Sequence, residues 1–187
     1  MLSIFPSHSS HTYRHRVAQA GFTLMEIMIV MVIIGVLSTI GVGSYRSTQQ
    51  KSRDARRKSD LKNIASALEV YYNDKSKYPD DGSDSGKIYG CGTKSTNDTG
   101  KTVCEWGEAF EETVTGVTAR TIYMVKLPED PRSTYTYYYY TDGSRKIFHL
   151  YAYLENDLDT DINAEDSGYD CGAYECNYVV TSTNTSL

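Results

Sequence analysis

Apolar residues crowd the start of this chain and then thin into a periodic pattern. Phe22 to Gly43 reads FTLMEIMIVMVIIGVLSTIGVG and carries a single charge, Glu26. As a helix rising about 1.5 Å per residue it covers roughly 30 Å, the depth of a bilayer's hydrocarbon core. A transmembrane helix is therefore expected over 22–43; the alternative is a buried core helix. Beyond it the pattern turns amphipathic, with Leu61, Ile64, Ala65, Leu68, Tyr71 and Tyr72 at three- and four-residue intervals. One face of 44–73 should pack on something. Pro79 ends the pattern, because proline disfavours helix in the residue before it and cannot extend the hydrogen-bond ladder.

After the helix, Asp80 to Lys101 has the glycine, serine and aspartate content of a surface loop. Glu105 to Thr113 suits a short helix around Trp106 and Phe110, and Leu127-Pro128-Glu129-Asp130-Pro131 a rigid connector. The clearest strand signal is Thr134 to Thr141 and Arg145 to Glu155, joined through Asp142-Gly143-Ser144 as a hairpin. In its second arm Phe148, Leu150, Ala152 and Leu154 alternate with Ile147, His149, Tyr151 and Tyr153, so one set should face the helix. The expected class is α+β: a long N-terminal helix packed on a small antiparallel sheet.

Composition narrows the chemistry. A formal charge of −5 over 187 residues argues against general nucleic-acid binding, which leaves a basic footprint. Cys91, Cys104, Cys171 and Cys176 all follow the apolar run, an even count that suits disulfides in an exported domain. Of the three pairings, Cys91 with Cys104 and Cys171 with Cys176 would each clip a polar loop; a zinc site lacks histidine partners at these spacings. Asp157, Asp159 and Asp161 alternate ahead of further acids, a density of hard oxygen ligands that suits Ca²⁺. Between Arg46 and Lys62 a basic run offers either contact with anionic lipid or acidic surfaces, or a solvated helix face. The tyrosines serve either adhesion or ordinary strand packing. Asn97-Asp98-Thr99 and Asn184-Thr185-Ser186 match the glycosylation acceptor pattern. No catalytic constellation emerges: His149 is the only histidine beyond the first 21 residues, and its strand position explains it.

Residues 1–21 are polar, include Arg14 and Arg16, and end in Gly21 just before the apolar run. An ordinary secretory signal is cut after its apolar stretch; here the conspicuous junction precedes it, so cleavage would leave the anchor attached. Gly21-Phe22-Thr23-Leu24-Met25-Glu26 resembles the processing motif of type IV pilins and type II secretion pseudopilins. In that family a membrane aspartic peptidase cuts after the glycine and methylates the new terminal phenylalanine. The resemblance implies a leader over 1–21, a mature end at Phe22, an assembly helix over 22–43 and an extracytoplasmic head over 44–187. It also implies copies of the same chain, minor pilins, the prepilin peptidase, an inner-membrane platform and lipid as partners. A carboxylate inside a membrane helix costs about 2 to 3 kcal/mol, and Glu26 should have a partner. The resemblance supplies one, the Phe22 amine of a neighbouring subunit. Leu127-Pro128 and Asp130-Pro131 extend the likeness into the head; Arg132 departs from it, since major secretion pseudopilins commonly have an aromatic there. Some pseudopilins hold calcium in a late head loop, which bears on Asp157 to Asp161. The family role is structural, not enzymatic. A signal-anchored binding domain that never polymerises is the rival from another class.

Overall fold

The computed structural model describes residues 21–82, 86–94, 101–114, 120–163 and 167–183. Its one described helix, α1 (Leu24–Lys75), belongs to two compact units that part between Val42 and Gly43. In the first unit the helix is apolar on every side. Phe22 and Leu24 are about four-fifths exposed, and even the least exposed large apolar side chain of the run, Val30, is 45 % exposed.

In the second unit α1 presents Leu61, Ile64, Ala67, Leu68 and Tyr71 to the core, all buried. Ser76 ends the helix with φ 57°, its N–H still bonded to the Tyr72 carbonyl. The hairpin forms as β5 (Tyr138–Thr141) and β6 (Phe148–Ala152), and β7 (Tyr178–Thr181) pairs with β6 on its other side. Phe148, Leu150 and Ala152 are fully buried against the helix while His149 and Tyr151 are half-buried on the outer face, so the alternation sets the register. The outer-face tyrosines pack on one another. Tyr169 lies 4.6 Å from Tyr138 and 5.0 Å from Tyr151 between ring centroids. Buried Tyr139 donates its hydroxyl to the Pro79 carbonyl at 2.8 Å and so ties the helix exit to the sheet.

Three expectations are corrected. The segment 80–101 is not only a loop, because Ile88–Lys94 forms β1, with Ile88 fully buried. No helix forms over 105–113: a turn at Trp106 and Gly107 leads into β3 (Phe110–Val114), since Phe110 is drawn into the core against Tyr71. The sheet is not single and wholly antiparallel. β2 (Thr102–Cys104), β1, β3 and β4 (Arg120–Met124) form a second sheet in the order β2-β1-β3-β4, with β1 and β3 parallel. α1 meets this sheet through a buried polar contact, where Lys101 donates to the Tyr71 hydroxyl at 2.6 Å and pairs with Glu112, which Lys75 also reaches. The class remains α+β.

Candidate functional site

Thr23 starts α1. Its Oγ1 and its carbonyl both accept from the Glu26 N–H, at 3.2 and 3.1 Å, so Thr23 and Glu26 stand at the first and fourth positions of an N-terminal cap. A carboxylate in the first turn also faces the positive end of the helix dipole. Gly21 has open space where a side chain would be, and Phe22 projects into solvent. Ser38 and Thr39 return their hydroxyls to carbonyls of the preceding turn at 2.7 Å, which leaves neither as an open polar group. Met25, Met28, Ile29, Val32 and Ile33 line an apolar groove of about 310 Å³ along one side. A helix apolar all round is stable only where something other than water surrounds it. Among the described residues no helical stretch is both long and apolar enough to cross a membrane. The side chains of the apolar run are described over 22–39; those of residues 40–43, the end of the expected 22–43 span, lie outside the described set.

The head is fastened to α1 by a charge network that sequence reasoning missed. Arg57 is fully buried. Its Nε and Nη2 donate to the two oxygens of Asp130 at 2.6 and 2.8 Å, and its Nη1 donates to Asp54 at 2.7 Å and lies 2.9 Å from Glu155. Arg53 donates to both Glu155 oxygens, at 2.8 and 2.5 Å. Asp54 in turn accepts the backbone N–H groups of Glu155 and Asn156, at 3.0 Å each. One turn of helix thus holds both the 127–131 connector and the chain leaving β6. The Arg53 hydrogen bond, with help from Arg57, holds the Glu155 carboxyl down at about 2 against the opposing effect of burial. The available signal was the Asp54–Arg57 spacing, which places both side chains on one helix face.

Disulfides join Cys91 to Cys104 and Cys171 to Cys176. Gly172, at φ 93°, lets the second loop lie against the Thr134 carbonyl, where any Cβ would sit 2.4 Å away. The calcium expectation meets a different arrangement. Lys58 Nζ reaches Asp159 at 2.6 Å and Asp161 at 2.7 Å, so a protein cation already answers two of the three acids. Among the described residues no group of three or more histidines, cysteines or acids could hold a metal; Glu165 and Asp166 lie outside those residues.

Residues 16–42 match the prokaryotic N-terminal methylation motif. The chain carries a prepilin-type start. It is 38 % identical over 73 residues to the type II secretion system core protein G of Pectobacterium carotovorum, covering 39 % of this chain and 44 % of that one. The core protein G of Pseudomonas aeruginosa is 43 % identical over 61 residues, 33 % of this chain and 43 % of its own. The type IV major pilin protein PilA of Myxococcus xanthus is 37 % identical over 60 residues, 32 % of this chain and 27 % of its own. The chain therefore spans less than half the length of these relatives. No solved structure matches.

Proposed function

We propose that the protein is a structural subunit of a type IV pilus or pseudopilus, cut after Gly21, methylated at Phe22 and polymerised through α1. One observation carries this reading: a helix apolar on every side starts at Leu24, inside the matched methylation motif of residues 16–42. The precursor sits in the inner membrane by the 22–43 segment with its head outside the cytoplasm, and the subunit then passes into the filament. Prepilin peptidase, an assembly platform and minor pilins are its partners, and no catalytic role falls to it. Packing of stem against stem supplies cohesion, as apolar helices associate through close van der Waals contact. Glu26 pairs with the Phe22 amine of the adjacent copy and sets the axial register. The named relatives favour a secretion pseudopilin as the specific form, since most of those matched are core protein G.

Two measurements test this. Mass spectrometry of the protein from its own cell should find Phe22 as a methylated N-terminus. In cells making Glu26→Ala, cleavage should persist while sheared filaments disappear. An intact Met1 end, or ordinary filaments from Glu26→Ala, sinks the reading and favours an anchored domain that works singly.

A further inference from the structure

A groove of about 310 Å³ runs beside the first turns of α1 in the head unit, lined by Tyr45, Arg46, Gln49, Gln50, Arg53 and Arg132, with Glu155 as its acidic wall. That carboxylate is 5 % exposed and is already engaged by Arg53, Arg57 and Arg132. The remaining lining groups all have protons to donate. Arg46 is exposed, and among the described residues no ion pair or hydrogen bond holds it. Gln49 donates to the Tyr45 oxygen at 2.6 Å, which leaves the phenol proton for another acceptor. Tyr45 itself is 65 % exposed. A groove rich in guanidinium and amide donors, its own acid satisfied, suits a phosphate ester.

Position in the chain says which phosphate. Tyr45 and Arg46 follow the apolar run by two and three residues, so they lie about 3 to 5 Å further along the helix than Gly43. That is headgroup depth for a helix whose 22–43 segment fills the hydrocarbon, and tyrosine beside arginine is an interfacial pairing. We propose that this groove binds the headgroup phosphate of an anionic phospholipid in the leaflet facing the head while the subunit waits in the membrane. The inference rests on the membrane-anchored reading above. It gives the groove a role before polymerisation: the head is held against the bilayer by a contact that must be released on extraction into a filament.

The test uses the full chain in nanodiscs of phosphatidylcholine, alone or mixed with phosphatidylglycerol, with retained lipids counted by native mass spectrometry. The wild-type chain should keep phosphatidylglycerol several-fold over phosphatidylcholine. Arg46→Gln should bring that ratio near one, and Arg46→Lys should keep most of it; among the described residues no ion pair or hydrogen bond holds the exposed Arg46, and circular dichroism of both variants should match the wild-type chain. Unaltered preference in Arg46→Gln overturns the proposal. So does glycerol phosphate in detergent binding as well as the lipid, which would make this a soluble-phosphate site. Loss of chain-to-chain crosslinks in Arg46→Gln with lipid retention intact overturns it in favour of a subunit interface. A chain that never enters the nanodisc sinks the anchored reading as well, whereas one that enters without lipid preference sinks only the groove.

Discussion

Replacing Arg57 by methionine removes the centre of the head's charge network while filling nearly the same space. Arg57 is inaccessible, and Asp54, Asp130 and Glu155 expose only 1 %, 1 % and 5 % of their side chains. Glu155 keeps Arg53, but Asp130 loses both guanidinium bonds and Asp54 loses its bond from Arg57 Nη1. Breaking a buried pair by removing one partner costs about 3 to 5 kcal/mol, since the remaining charge stays desolvated. With an m-value of about 2 kcal/mol/M, the urea midpoint should fall by about 2 M. The full chain in mild detergent, followed by fluorescence of its single tryptophan, Trp106, reads this directly, as that ring packs edge-on against Tyr137 at 5.8 Å. A midpoint shift under about 0.5 M at neutral pH, near 1 kcal/mol, would refute the view that this network fastens connector and sheet to the helix.

Acid titration should show a loss of stability tied to Glu155. Its carboxyl ionises near 2 in the folded chain against an ordinary 4.5, so its contribution is complete above pH 4.5 and disappears as pH falls towards 2, amounting to about 3 kcal/mol. Glu155→Gln should flatten that part of the profile; an identical acid limb in the variant assigns the loss elsewhere. Opening the Cys91–Cys104 link with paired serines should lower stability by about 3 kcal/mol, and opening Cys171–Cys176 by about 2, because the first closes the longer loop. Calorimetry of the two double variants checks the order.

The parts legible in the sequence are those whose signals are local. The core-facing stretch of α1 follows from apolar residues three and four apart, the hairpin from strict alternation around Asp142-Gly143, and the methylation motif from six consecutive residues. The four-stranded sheet was hidden because β1 reads Ile-Tyr-Gly-Cys-Gly-Thr-Lys, with two glycines where strand propensity wants branched side chains. Gly90 is there for closeness: a Cβ would meet Pro79 at 3.3 Å and Phe110 at 3.4 Å. The parallel partner of β1 lies in β3, beyond β2, and no local pattern announces such a pairing. The charge network was hidden for the same reason, since Arg57 finds Asp130 across 73 residues and Lys58 finds Asp159 across 101. The acidic run around Asp157 has the composition of a metal loop; its distant lysine partner could not be seen from composition alone.

The same long-range pairing resolves an apparent conflict in the charge pattern. Counted as free cations, Arg46, Lys51, Arg53, Arg56, Arg57, Lys58 and Lys62 would favour the cytoplasm for the side of the apolar run that carries the head. Cys91, Cys104, Cys171 and Cys176 argue for the opposite side, because disulfides persist in oxidising compartments. In the folded head Arg53, Arg57 and Lys58 all have acid partners from beyond the helix, and Arg56 lies 3.7 Å from Asp60 one turn on. Most of the run is therefore explained by cohesion of the head, with no orientation signal required of it. Arg46, Lys51 and Lys62 remain exposed. Of these, Arg46 follows the apolar run by three residues, and among the described residues no ion pair or hydrogen bond holds it, which leaves it free for the lipid phosphate proposed above.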